Sequence, residues 1–260
     1  MKTTGRLIDM GKNCAAMNMA IDEAILIAQN DQANPTLRFY NWTKPAFSFG
    51  YFQDISSEVD VEACHSKGIE LVKRMTGGGT VVHGWDLTYT LILPRKPGEN
   101  PVSETYKLIG KGLVRAFQKL DIPAECYNAK YGSNTTSENI CLTNPAENDV
   151  MCNNKKIAGV SVRRNRNGIM FQGYISLDIP PEHILKHVSK NPKAQQMLSE
   201  KSSAINTDGR SISKKALIKA ICETNDVGHT FKKGKLTLAE MAQSETLANT
   251  KYSTPAWDFL

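Results

Sequence analysis

Three consecutive glycines, Gly77, Gly78 and Gly79, stand in the run Lys73-Arg74-Met75-Thr76-Gly77-Gly78-Gly79-Thr80-Val81-Val82-His83. Glycine loses more conformational freedom on folding than any other residue, so three together make sense where no side chain fits or where φ must be positive. Arg74 and His83 flank the triplet with charge and hydrogen-bonding groups. The guest expected beside such a loop is therefore polar at one end: a carboxylate, a phosphate or a thioester. A flexible surface turn produces the same triplet, and glycine runs alone are weak signals. The neighbours decide between the two. An apolar run, Gly68-Ile69-Glu70-Leu71-Val72, precedes the loop and a strand-like run, Leu87-Thr88-Tyr89-Thr90-Leu91-Ile92-Leu93, follows it. The pattern predicts a tight connection between strands.

With 260 residues, 40% of them hydrophobic, the chain is long enough to bury a sizeable core, and one domain over 1–260 is expected. No apolar run approaches the length of a membrane span, and Met1-Lys2-Thr3-Thr4-Gly5-Arg6 leads into Leu7-Ile8-Asp9-Met10 without a signal-peptide core. A cytoplasmic location with no membrane partner is the expectation. The six cysteines are scattered without a Cys-x-x-Cys pair, which argues against a zinc site or a disulfide framework; no metal is expected. A net charge of +6, with basic segments at Arg163-Arg164-Asn165-Arg166 and Lys214-Lys215, suits an acidic protein partner. Few aromatics accompany these segments, so nucleic acid is not the expected partner.

Periodicity predicts a helix over Asn18–Ile27, with Asn18 as cap and Asp22 and Glu23 on its polar side. A strand over Leu37–Trp42, a short helix over Val59–Cys64 and a helix over Ser103–Leu120 capped by Ser103 follow. Val150-Met151-Cys152 and Lys155–Val162 flank Asn153-Asn154, a pair that tolerates left-handed backbone and so predicts a hairpin. Gly168–Ile179 reads as a strand, and Pro181–Ser189, Ser213–Thr224 and Thr237–Lys251 read as helices. Strands and helices mix without a βαβ rhythm, so the fold class is α+β, with a mixed or antiparallel sheet flanked by helices.

Lys156 enters its strand beside the small or apolar residues Ile157, Ala158 and Gly159. Side chains alternate along a strand, so one of Lys155 and Lys156 faces solvent and the other faces inward. An inward Lys156 would hold a carbonyl or carboxylate oxygen; an exposed lysine after a hairpin turn has the same sequence. Cys141 lies in the loop Glu138-Asn139-Ile140-Cys141-Leu142-Thr143-Asn144-Pro145, the kind of segment that carries reactive side chains. A thiolate nucleophile there needs an electropositive neighbour, which Lys156 or His83 would supply. A buried, inert cysteine reads the same way, and composition does not single out Cys141. His65, His183, His187 and His229 read as surface residues, because His183 and His187, although four apart, have no acidic or cysteine partner.

Taken together, the Arg74–His83 segment, Lys155-Lys156-Ile157-Ala158-Gly159 and the strand that follows resemble the lipoate- and biotin-protein ligase superfamily. In that family an Arg-x-x-Gly-Gly-Gly-x-Val-x-His loop lines an acyl pocket, and a Lys-Ile-x-Gly strand supplies a lysine that touches the acyl carbonyl. The similarity extends through Met19-Ala20-Ile21-Asp22-Glu23-Ala24, Leu37-Arg38-Phe39-Tyr40, Gly50-Tyr51-Phe52-Gln53 and Lys251-Tyr252-Ser253-Thr254-Pro255-Ala256-Trp257. Within the family, His83-Gly84-Trp85-Asp86-Leu87-Thr88-Tyr89-Thr90 is similar to the His-x-x-Glu-Leu-Thr-Tyr-Ser form of the cysteine-dependent octanoyltransferases, with Asp86 in place of Glu. Cys141 stands fifteen positions before Lys156, where that subgroup places its nucleophile. Ala158-Gly159-Val160-Ser161-Val162-Arg163-Arg164 and Gln172 depart from the common pattern and resemble amidotransferases acting between lipoyl-domain proteins. Asn148-Asp149-Val150 is compatible with the Asn-Asp-Ile of ATP-dependent ligases.

The resemblance implies an octanoyltransferase with Cys141 and Lys156 as catalytic residues. Arg74, Gly77, Gly78, Gly79, His83, Gly159 and Gln172 form the implied substrate-binding set, the glycines letting the acyl chain lie against backbone. The implied donor is an acyl-carrier protein, and the implied acceptor is the target lysine of a lipoyl-domain protein, either the glycine cleavage H protein or a dehydrogenase E2. A transferase of this kind uses no cofactor. The alternatives are an amidotransferase between lipoyl-domain proteins or a lipoate-protein ligase, which uses ATP and magnesium, with any accessory domain on a separate chain.

Overall fold

Alternating side chains set the architecture. The computed structural model describes residues 3–30, 32–95, 101–128, 145–201, 203–254 and 257. Along the chain run β1 (Thr3–Asn13), α1 (Ala15–Ile27), β2 (Thr36–Trp42), β3 (Ala46–Phe49), α2 (Ile55–Glu58), α3 (Val61–Ser66), β4 (Glu70–Lys73), β5 (Val81–His83) and β6 (Asp86–Pro94). Then come α4 (Val102–Gln118), β7 (Ala124–Cys126), β8 (Val150–Cys152), β9 (Lys155–Arg164) and β10 (Gly168–Ser176). The chain continues with α5 (Glu182–Leu185), α6 (Pro192–Lys201), α7 (Lys214–Thr224), β11 (His229–Lys233), α8 (Leu238–Leu247) and a π-helical turn, Ala248–Tyr252.

The large sheet has the order β11-β1-β2-β6-β10-β9-β8-β7, and a small sheet has the order β4-β3-β5. β1 runs parallel to both β11 and β2, and every other pairing in the large sheet is antiparallel. In β6 the period of two sends Leu87, Tyr89 and Leu91 to one face, where they join Phe171, Ile109 and Phe117 under α4 and α7. Ile92 joins Met170 on the opposite face, beneath Ile21, Ile25 and Leu26 of α1. Thr88 and Thr90 on that face bond Trp42 and Asp22 instead of packing in an apolar core. The small sheet rests on a separate cluster that includes Phe47, Cys64, Ile184 and Leu198.

The Asn153-Asn154 hairpin forms with both residues left-handed, at φ 50° and 61°. Ser213 and Thr237 cap α7 and α8 through their side chains. Other expectations shift. Helix α1 begins at Ala15, so Asn18 lies inside it, and its side chain bonds the Asn41 carbonyl and accepts from Arg38. Asp22 and Glu23 are buried rather than on a polar face, because Arg38 and Lys251 reach in to pair with them. Pro101 occupies the N-cap of α4, in place of Ser103. The tail holds helix α6 and strand β11 in addition to the expected helices. No described helix is long and apolar enough to cross a membrane.

Candidate active site

The small sheet and the α1 face of the large sheet enclose a cavity of about 440 Å³, a size that suits a small-molecule guest. Met19 of α1, Trp42 of β2, Ser48 of β3, His83 of β5, Lys156 of β9 and Gln172 of β10 all contribute to its wall.

The glycine loop connects β4 to β5 along one edge of this cavity, and Arg74 holds it in shape. The Arg74 guanidinium donates to the Ser48 carbonyl and hydroxyl at 2.5 and 2.7 Å, and to the Gly77 and Gly79 carbonyls at 3.1 and 2.9 Å. Arg74 is therefore buried as a brace for the loop as well as a part of the wall. Gly78 takes φ +91°, in the left-handed region. Its carbonyl lies where a Cβ on Gly50 would stand, 1.9 Å away, so two glycines permit the crossing of these segments.

Lys156 reaches the cavity through a β-bulge. Met151 pairs with Lys156 but Val150 pairs with Ala158, which leaves Ile157 as an extra residue in β9. Strict alternation would put Lys156 and Gly159 on opposite faces. The bulge instead turns Ile157 and Ala158 into the core and both Lys156 and Gly159 toward the cavity. Lys156 is 3% exposed, and its Nζ lies 2.6 Å from Asp149 Oδ2. Lys155 is exposed. Asp149 also accepts from the Ala146 N–H at 2.6 Å. Burial pushes the Asp149 carboxyl above its ordinary value, and the Lys156 charge opposes that shift without cancelling it. A Cβ on Gly159 would meet Lys156 Cε at 2.7 Å, Lys156 Nζ at 2.9 Å and Asp149 Oδ1 at 3.0 Å. Glycine at 159 thus leaves the space that the ion pair fills.

His83 is fixed on three sides. It stacks on Trp42 with ring centroids 3.9 Å apart, Nδ1 lies 2.8 Å from Asp86 Oδ2, and Nε2 lies 2.7 Å from Ser48 Oγ. Burial alone raises the Asp86 carboxyl, but His83, together with hydrogen bonds from His83, Thr88 and the Gly84 N–H, outweighs it and holds Asp86 below its ordinary range. An ionised Asp86 only accepts, so His83 Nδ1 carries a proton. Ser48 has no exposed surface and its Oγ already accepts from Arg74. The Ser48–His83–Asp86 chain therefore clamps the small sheet to β6.

Gln172 joins the glycine loop to α1. It accepts from Thr76 Oγ1 at 2.8 Å and donates to Asp22 Oδ2 at 2.8 Å. Asp22 also takes Arg38, Tyr40 and Thr90 at 2.6, 2.9 and 2.7 Å. Four side chains thus converge on the Asp22 carboxylate, an arrangement that rigidifies the cavity floor.

The structure brings Arg74, Gly78, Gly79, His83, Lys156, Gly159 and Gln172 to one cavity wall, while Gly77 is absent from its lining. Cys141 lies outside the described residues, as does most of the loop around it. Cys14, Cys64, Cys126, Cys152 and Cys222 are free thiols, and none of them lines the cavity. Burial pushes the Cys64 and Cys222 thiols up to about 11 and raises Cys126 as well. Sequence reasoning did not assign roles to Asp149, Asp86, Ser48 or Asp22. For Asp149 a signal existed: the hairpin register around Asn153-Asn154 places it across from the strand that bears Lys156.

Solved structures share this architecture. A lipoate-protein ligase A bound with ATP is 24% identical, with 99% of each chain covered and a TM-score of 0.81. A bipartite lipoate protein ligase from Thermoplasma acidophilum, studied with its E2 lipoyl domain, is 24% identical over 99% of this chain and 96% of its own, with a TM-score of 0.80. These likenesses establish the fold. Residues 14–224 match the Lipoyl protein ligase A/B catalytic domain, and the chain belongs to that family. Among its relatives are proteins named Octanoyltransferase LipM from Kyrpidia tusciae, 33% identical over 98% of each chain, and from Brevibacillus brevis, 33% identical over 94% of each.

Proposed function

We propose that this chain is a cysteine octanoyltransferase of lipoate biosynthesis that moves an octanoyl group from a carrier-bound thioester to the target lysine of a lipoyl-domain protein. Octanoyl transfer itself follows from the relatives, which are octanoyltransferases over nearly the whole chain. The observation that supports the chemical reading best is the buried Lys156–Asp149 pair, aimed at a cavity by a bulge and given room by Gly159.

The Cys141 thiolate attacks the donor thioester carbonyl. A C–S bond to Cys141 forms, the bond to the donor sulfur breaks, and the departing donor thiolate takes up the proton that the Cys141 thiol released on ionising. The Lys156 ammonium has three N–H donors, so pairing with Asp149 is compatible with donation to the developing oxyanion. The acceptor amine then attacks the acyl-enzyme, forms the amide and returns the Cys141 thiol. Cys141 precedes Ala146, a residue of the cavity wall, by five positions, a span of at most about 18 Å for an extended chain. Because a thioester is already activated, this route needs neither ATP nor a metal.

The test is transfer from an octanoyl-loaded acyl-carrier protein to a lipoyl domain without ATP, in wild type and in Lys156→Ala. Loss of one donor at a developing oxyanion lowers kcat about 10²–10³-fold. Unchanged turnover in Lys156→Ala removes Lys156 from the reaction. Modification that appears only with ATP, magnesium and free lipoate makes the chain a ligase.

A further inference from the structure

The cavity opens beside Phe52, which lines it yet is 89% exposed. Phe52 meets Tyr51 edge-on with ring centroids 5.1 Å apart, and the Arg163 guanidinium lies over the Tyr51 ring at 5.0 Å. Beyond the bulge β9 alternates regularly, so Arg163 shares its face with Gly159 and Ser161, both part of the cavity wall. The Arg163 side chain makes no hydrogen bond or ion pair with any described residue, and its Nε is buried without a partner. The arginines that pair elsewhere, such as Arg38 and Arg6, meet carboxylates. Among the described residues no carboxylate pairs with Arg163, which stands beyond Ser161 on the strand face that walls the cavity.

We infer that Arg163 is a subsite for the phosphate of a pantetheine-linked acyl donor. The inference rests on the reading that octanoate arrives as a carrier thioester. A planar guanidinium presents parallel N–H donors that match two phosphate oxygens. The spacing agrees. Lys156 Nζ stands over Gly159, and Arg163 lies four residue steps further along the strand, about 13 Å at the usual rise. Thirteen covalent bonds join the sulfur of a pantetheine arm to its phosphorus, about 16 Å at the roughly 1.2 Å per bond of an extended chain. With the thioester carbonyl at Lys156, the phosphate falls within reach of the Arg163 side chain. Tyr51 and Phe52 flank the arm between them.

Octanoyl-pantetheine and octanoyl-4′-phosphopantetheine, compared as donors to the full chain, test the subsite. In wild type the phosphorylated donor has a KM about tenfold lower, the size of one charge-assisted contact. In Arg163→Gln the two donors have the same KM, and in Arg163→Lys part of the difference returns. Equal KM values in wild type, or a difference that persists in Arg163→Gln, overturn the assignment. Acyl transfer from neither donor overturns the donor reading and the subsite with it.

Discussion

Gly159→Ala isolates the Lys156–Asp149 pair without touching either charge. Gly159 lies outside the left-handed region, so alanine is compatible with the backbone there. The added Cβ would stand 2.7 Å from Lys156 Cε and 3.0 Å from Asp149 Oδ1, against the ~3.5–4.0 Å of a relaxed contact. The lysine must therefore retreat by about 1 Å, and the aspartate on its other side blocks the shortest way out. A misplacement of about 1 Å in a catalytic group costs about 10²-fold in rate. Overpacking costs about 1–3 kcal/mol of stability, which lowers Tm by roughly 2–10 °C for a chain of this size. Steady-state octanoyl transfer and a thermal melt on the same preparation separate the two effects. A variant that loses a few degrees yet keeps full kcat/KM refutes the reasoning, because Lys156 will have been displaced without consequence.

Two further outcomes follow from the frame of the site. Asp86 has a depressed carboxyl, so the stability it contributes is present above its unfolded value near 3.8 and is lost as pH falls through the lower folded value. Asp86→Asn should remove that acid-side loss in urea titrations below pH 3.8 and cost about 1.5–3 kcal/mol at neutral pH, the worth of hydrogen bonds to a charged group; an unchanged acid limb contradicts the assignment. Gly50→Ala would place a Cβ 1.9 Å from the Gly78 carbonyl, so it should displace the glycine loop and reduce octanoyl binding more than Gly77→Ala, whose Cβ meets nothing within 4 Å. Equal KM values for the two variants contradict the tight crossing.

Local chemistry made much of this legible. Asn153-Asn154 announced its hairpin because few residues other than glycine accept left-handed backbone easily, and the glycine triplet between apolar runs announced a tight strand connection. The inward course of one lysine followed from alternation, but which lysine, and what it would face, depended on the bulge at Ile157. One extra residue in a strand leaves no mark in composition. Asp22 and Glu23 seemed to form a polar helix face, because periodicity sees charge and cannot see that Arg38 and Lys251 arrive to neutralise it. The pairing of β1 with β11 joins residues more than two hundred positions apart, with Thr3 opposite His229, and no local pattern encodes such a pairing.

The central claim is a thioester on Cys141, and intact mass spectrometry tests it directly. The protein is incubated with octanoyl-loaded acyl-carrier protein, without ATP or a lipoyl domain. The account predicts a single octanoyl adduct that hydroxylamine removes and that Cys141→Ser does not form. An adduct that survives in Cys141→Ser, or no adduct in a preparation that transfers octanoate at full rate, contradicts it.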